Sequence, residues 1–407
     1  MTTTVTVRRR LTPEDRAATP YLELTFEVPA RTPSVEVRLD YDRTAGVIDL
    51  GCWGPSGFRG WSGGARDRFV ITPAAATPGY LPESSPDAYL EPGRWAVLLG
   101  LHRIPDPGLD AEVEVELPAT APPMAEPPSP PVPERPRRRT LPASAGLTWL
   151  ACDLHTHTVH SDGSLGIAEL AAAGVAAALD VVAVTDHNTV SHHASLDRVT
   201  RRYGITLVPG QEVTTDRGHA NAFGDIGWVD FREPATAWLR EVTSGGGILS
   251  INHPLAADCS WQHLLSERPP LAEIWHWTWL DRTWTGPLAW WSAWGLDTVP
   301  VGGSDFHSPD QGRPLGAPVT WVACESDQPS AVLDGLSTGR TAVAAFVDAP
   351  VLLRVDDELV AVGGDGTVLV DVDGRRQVVR GDRARFPAAP GPHRLETPMA
   401  EVIAISP

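Results

Sequence analysis

Proline recurs every few residues through LPATAPPMAEPPSPPVPERPRRRTLP, residues 117–142. Proline locks φ and removes a backbone donor, so this stretch can be neither helix nor central strand. It predicts an extended, semi-rigid linker that divides the chain. The 407 residues therefore fold as separate pieces on either side of it, in line with two or three domains for this length. The boundaries read as residues 1–117, a linker over 118–146, a domain over 147–345 and a last region over 346–407.

The two sides differ in texture. Before the linker come YLELTFEV, SVEVRLDY, GVIDLGCW, RWAVLLGL and AEVEVELP, separated by turn residues. Alternation with a period of two predicts short strands of an antiparallel β-sandwich. After the linker, DVVAVTD, ITLVPG, GGILSIN and DTVPVGG have the continuous apolar character of buried parallel strands. They alternate with LGIAELAAAGVAAA, EPATAWLREVT, PLAWWSAW and PSAVLDGLSTG. Strand alternating with helix predicts an α/β domain. From about Phe346 the strand texture returns in PVLLRVDD, ELVAVGG, TVLVDVDG and EVIAIS, a small C-terminal β region.

Composition closes several routes. The formal net charge is −18, which disfavours a broad nucleic-acid footprint. All 33 basic residues are arginine. Without lysine there is no Schiff base and no P-loop lysine. The four cysteines are scattered, with no CxxC pair, which favours reduced thiols. The N-terminus lacks the apolar run of a signal peptide, and no segment approaches a membrane span. The expectation is a cytoplasmic protein acting on a small molecule, with its oligomeric state open.

The chemistry concentrates at strand ends. In DLHTHTVHSDGS, His155 and His157 follow a predicted strand and are two residues apart. On an extended backbone they point the same way and make a chelating pair. Asp162 follows in a Ser-Asp-Gly turn. Further on, DVVAVTDHN ends in Asp186 and His187, GQE carries Glu212, GHANAFG carries His219, INHP carries His253, and GGSDFH carries Asp305 and His307. In a parallel α/β sheet such ends converge on one face, where active sites form.

HTHTVHSDG, TDHN, GQE, NHP and GGSDFH, in this order, resemble the motifs of the PHP (polymerase and histidinol phosphatase) metal-dependent hydrolases. TTDRGHANAFG and the tryptophan-rich stretch look like the bacterial carbaryl-hydrolase-like branch. The resemblance implies a distorted (β/α)7 barrel, flanked here by the sandwich and the C-terminal β region. It also implies two or three divalent ions. One would take His155, His157, Glu212 and Asp305. A second would share Glu212 and add His253, with His219 as the less secure third ligand. A third would take Asp162, His187 and His307.

Imidazole and carboxylate without thiolate is the donor set of catalytic rather than structural sites. It accepts Zn, Mn or Fe. A bridging carboxylate would hold two ions roughly 3.5–4 Å apart, with a hydroxide between them as nucleophile. Asp305 would be essential to that chemistry. His160 and His193, outside the ligand set, are candidate proton donors. His192, Arg217, Trp275 and Arg313 are candidate substrate contacts, the arginines as forks for an anion. Ile274 to Gly295 holds seven of the 15 tryptophans. Trp290, Trp291 and Trp294 fit a core helix face, and the stretch from Trp275 to Trp284 fits an aromatic wall.

Three readings follow. The first is a phosphoesterase on a small phosphate ester or nucleotide, including 5′–3′ attack on short oligonucleotides. The second is a hydrolase of aromatic carbamates, esters or amides. The third is a metal-binding PHP module without catalysis.

Overall fold

The computed structural model describes residues 2–83, 88–278 and 285–407. The chain divides into two compact units. One comprises residues 1–128 with two excursions from later sequence, residues 158–166 and 186–194. The other comprises residues 129–157, 167–185 and 195–407.

The first unit is built on eight strands: β1 (Thr3–Leu11), β2 (Tyr21–Val28), β3 (Val35–Tyr41), β4 (Val47–Gly54), β5 (Gly57–Trp61), β6 (Arg68–Ile71), β7 (Gly93–Arg103) and β8 (Leu109–Leu117). They form two four-stranded sheets, ordered β1-β8-β3-β6 and β2-β7-β4-β5. All neighbours are antiparallel. Alternation does the sorting: in β8, Leu109, Ala111, Val113, Val115 and Leu117 are buried, and the residues between them are not. These side chains share one core with Val35, Val37, Leu39, Leu50, Trp95, Val97 and Leu99 from both sheets.

The second unit contains β9 (Thr148–Asp153), β10 (Val181–Val184), β11 (Thr206–Thr215), β12 (Gly218–Phe223), β13 (Ile248–Ile251), β14 (Leu271–Trp275), β15 (Val299–Gly302), β16 (Val319–Cys324) and β17 (Thr341–Ala344). They belong to one sheet, in which β9 to β15 lie side by side in chain order. Strands β9, β10 and β11 are parallel, as are β13, β14 and β15. Purely parallel pairing does not hold throughout. Strand β12 is antiparallel to both neighbours, because only Asp216 and Arg217 separate β11 from β12. A two-residue connection can close a hairpin but cannot cross over. Helices Ile167–Ala176, His193–Tyr203, Ala235–Ser244, Thr285–Trp294 and Pro329–Ser337 intervene between the strands. The fold is thus mixed α/β, with few helices and large sheets. No helix among the described residues is long and apolar enough to cross a membrane.

The linker has no helix or strand between residues 118 and 146. Its arginines tie part of it down. Arg135 donates to the carbonyls of Leu179 (2.6 Å) and Gly204 (2.9 Å), and Arg139 to those of Val347 (3.0 Å) and Ala349 (2.6 Å). The C-terminal residues form a three-stranded sheet, Val351–Val355, Glu358–Val362 and Arg383–Pro387, and also extend the large sheet beyond β17.

Candidate metal centre

His155 lies two residues beyond β9 and is fully buried, as is His157. Glu212 is carried by β11 and is buried, as is Asn221, its partner across the hairpin. His219 is the second residue of β12, His253 follows β13, and Asp305 and His307 follow β15. The strand ends bring these residues together around two carboxylates.

Glu212 stands at the middle. Its Oε1 lies 3.2 Å from His155 Nε2, 3.2 Å from His219 Nδ1 and 3.3 Å from His253 Nε2. Its Oε2 lies 3.6 Å from His157 Nε2. Asp305 Oδ1 lies 3.3 Å from His155 Nε2 and 3.0 Å from His157 Nε2. The His307 ring stacks on His157 with 4.1 Å between centroids. Two ligands of one tetrahedral zinc, with bonds of about 2.0–2.2 Å, stand roughly 3.3–3.5 Å apart. The observed separations of 3.0–3.6 Å span that spacing, and those of Asp305 with His157 and of Glu212 with His219 and His253 are hydrogen bonds here. His155 Nε2 is buried, faces both carboxylates and makes no hydrogen bond. That orphaned nitrogen, with the mixed imidazole and carboxylate donors, fits a divalent ion. His155, His157 and Glu212 present ligand atoms within 4.8 Å of one another.

The backbone is bent to achieve this. His253 has φ 27° and Asp305 φ 49°. Left-handed backbone is uncommon for residues other than glycine, and such strain gathers at functional sites. Gly303 is needed for close approach: a Cβ there would sit 2.4 Å from His155 Cβ and 2.9 Å from Glu273 Oε1.

Electrostatics follow from the crowding. Burial opposes a charged His155, but Glu212, Glu273 and Asp305 overcome it and hold its pKa well above the usual imidazole range. Burial likewise opposes ionised Asp305, yet His155 and His157 pull its carboxyl well below the ordinary value. A divalent ion would replace those protons, since ligating histidine must be neutral.

Four neighbours escaped the sequence reading. Glu273, on β14, takes a hydrogen bond at Oε2 from the His253 backbone N–H (2.8 Å), and its Oε1 pairs with His155 Nδ1 at 2.8 Å. Such a carboxylate fixes the tautomer and aims Nε2. His276 Nε2 lies 3.4 Å from Asp305 Oδ2. Asn252 Nδ2 donates to Glu212 Oε1 at 2.7 Å. Cys259 Sγ lies 3.4 Å from His253 Nδ1. Glu273 and His276 were detectable as polar residues in the apolar run LAEIWHW, and Asn252 stood inside the NHP motif; Cys259 carried no signal.

Of the proposed substrate contacts, Arg313 is close enough to feel the charge of Asp305, and its guanidinium stacks 3.0 Å from the Trp277 ring centroid. Arg217 is exposed on the hairpin turn and donates to the Gln262 carbonyl at 3.0 Å. Trp275 packs on the core formed by Ile251, Ile274 and Trp291. The expected aromatic wall falls partly on Trp279 and Trp284, outside the described residues.

Asp162, His160, His187, His192 and His193 belong to the first unit. There Asp162 Oδ1 lies 3.6 Å from His187 Nε2. His160 is buried, with Nδ1 2.7 Å from Ser191 Oγ and Nε2 3.3 Å from Glu126. His192 is fully buried, 3.3 Å from Asp186 and edge-on to His193 with centroids 4.6 Å apart.

No family model matches the chain, and no curated protein matches it. Among solved structures, it is similar to a two-domain protein of Bacteroides vulgatus, described as containing a predicted PHP-like metal-dependent phosphoesterase. Identity is 17%, covering 68% of this chain and 99% of that one, with a TM-score of 0.43. A Bifidobacterium adolescentis protein described as a metal-dependent phosphoesterase matches at 16% identity, over 40% of this chain and 90% of that one, with a TM-score of 0.33. An amidohydrolase from Chromobacterium violaceum matches at 16% identity, over 40% and 89%, with a TM-score of 0.28.

Proposed function

We propose that this protein is a metal-dependent hydrolase of the PHP type, with its barrel the distorted (β/α)7 form that the motifs imply. The observation that carries this reading is Glu212, a buried carboxylate facing His155, His219 and His253 at 3.2–3.3 Å from one oxygen and His157 from the other. One carboxylate within reach of both imidazole groups is what a bridging ligand requires. His155, His157, Glu212 and Asp305 would hold one ion, and Glu212, His253 and His219 a second. Asp162, His187 and His307 remain the third set that the motifs imply. Zn, Mn and Fe all suit these donors. When bound, the ions would supply Lewis acidity and an acidified water.

The substrate we favour is a small phosphate ester or nucleotide. Arg313 supports this. A guanidinium fork near Asp305, held flat on Trp277, suits phosphate oxygens. Trp277 itself, 36% exposed, favours a second reading, hydrolysis of an aromatic carbamate, ester or amide. A paired assay separates them. Zinc- or manganese-loaded protein is offered an aromatic phosphate ester and the matching N-methylcarbamate, with Asp305→Asn as control. Faster phosphate release supports the first reading and faster carbamate cleavage the second. Turnover of neither, or equal turnover by the control, would sink the proposal.

A further inference from the structure

The β-sandwich and the two loops carrying Asp162 and His187 form one compact unit. We infer that the sandwich is the scaffold of those loops, and that Arg66 is the positioning residue that holds the Asp162 loop in its ligand-presenting shape.

Arg66 follows a single turn, Gly63–Ala65, that leaves the edge of the sandwich. Its Nη1 donates to the Ser161 carbonyl at 3.0 Å, and its Nη2 donates to the Val159 carbonyl. These carbonyls flank His160 and stand directly ahead of Asp162. A guanidinium can bond both at once because its donors form a rigid fork; an ammonium presents a point charge instead. Burial lowers the pKa of the Arg66 guanidinium, and Tyr80, Asp186 and Asp162 act against that loss.

A second clamp holds the other loop. The Gly79 N–H donates to Ser191 Oγ at 3.0 Å, and the Gly79 carbonyl accepts from Thr189 Oγ1 at 2.9 Å. Gly79 has φ +97°, and a Cβ there would stand 2.7 Å from the His160 carbonyl oxygen. Only glycine lets the sandwich backbone come this close. Asp186 then joins the loops, accepting from Thr158 N (2.8 Å), Thr158 Oγ1 (2.7 Å), Ser161 N (3.0 Å) and Ser161 Oγ (2.6 Å). Beneath them, burial pushes the Asp49 carboxyl on β4 up to about 6, against the pull of His102 and His187. Loops with so little apolar content would not keep one shape alone. The fork on one loop and Gly79 on the other supply what the sequence of the loops lacks.

The ion at Asp162 and His187 rests on the proposed function; the clamp does not. The test therefore reads both, in the full-length protein. Hydrogen exchange is followed over residues 158–166 and over β4 and β7 in wild type, Arg66→Met, Arg66→Lys and Ser191→Ala. Zinc stoichiometry is measured alongside. In Arg66→Met the loop should exchange at least about tenfold faster, for the loss of two charge-assisted bonds. Strands β4 and β7 should keep their protection. One zinc equivalent should be lost or weakened, and Arg66→Lys should fall between. Ser191→Ala should loosen residues 186–194 in the same way. Wild-type exchange of the loops in Arg66→Met and in Ser191→Ala overturns the inference, as does loosening that spreads equally through β4 and β7 in all variants. Wild-type protein that never binds the extra zinc refutes the third-ion reading, and the exchange data still decide the clamp.

Discussion

Replacing Glu273 by glutamine probes the centre without touching an expected ligand. Glu273 holds two donors at 2.8 Å, the His155 ring and the His253 backbone N–H. Burial alone would raise its carboxyl, but His155 dominates and holds it below the ordinary value, so it is ionised at neutral pH. Glutamine keeps the shape and offers one carbonyl oxygen. It can satisfy one donor and must turn its amide toward the other. A hydrogen bond to a charged group is worth about 1.5–3 kcal/mol. Loss of a carboxylate behind a ligating histidine typically costs about 10–100-fold in metal affinity, or roughly 1.4–2.7 kcal/mol. Zinc competition against a chromogenic chelator should therefore give a dissociation constant about 10–100-fold higher for Glu273→Gln. The circular dichroism spectrum should be unchanged. An unaltered dissociation constant in the folded variant would refute the assignment of His155 as a ligand aimed by Glu273.

Asp305→Asn should abolish hydrolysis while leaving the protein folded, because the volume is kept and a charged donor is lost; full activity with normal zinc content contradicts it. Gly303→Ala should lower the melting temperature and the zinc content together, since the new Cβ meets His155 at 2.4 Å, and overpacking costs about 1–3 kcal/mol. In metal-free protein, His155 sits above its unfolded value of about 6.5 and Asp305 below its value of about 3.9. The His155 contribution is complete below pH ~6.5 and is lost as pH rises through the folded value, and that of Asp305 is lost as pH falls below ~3.9. Thermal melts in chelator should thus decline from neutral to alkaline pH, whereas zinc-loaded protein, with neutral histidines, should not. Arg313→Ala should raise KM for an aromatic phosphate ester more than it lowers kcat, measured by steady-state kinetics; an unchanged KM removes Arg313 from substrate binding.

The clustering of the centre's side chains was legible because polar residues stand where burial would otherwise favour apolar ones. His155, His157, Glu212, His253 and Asp305 each end or follow an apolar run, and strand geometry carries them to one place. The sandwich was legible for the complementary reason, since its alternation in β8 and its neighbours is the record of one buried face. Glu273 was missed because a carboxylate inside LAEIW has no spacing to a partner; its partner His155 lies 118 residues away. His160 read as a candidate proton donor because sequence cannot show Ser191 and Glu126 closing around its ring. The antiparallel β12 followed from a two-residue turn that DRG spelled out, obscured by the parallel texture on either side. Least visible was the allegiance of residues 158–166 and 186–194 to the sandwich, which depends on Arg66 and Gly79, far upstream.

The most direct test of the central claim is an anomalous-scattering experiment on zinc-loaded crystals. A strong peak is expected between His155 Nε2, His157 Nε2, Glu212 and Asp305, and a second on the His253 side of Glu212. Peaks confined to surface histidines, with the buried cluster still closed on itself, would contradict it.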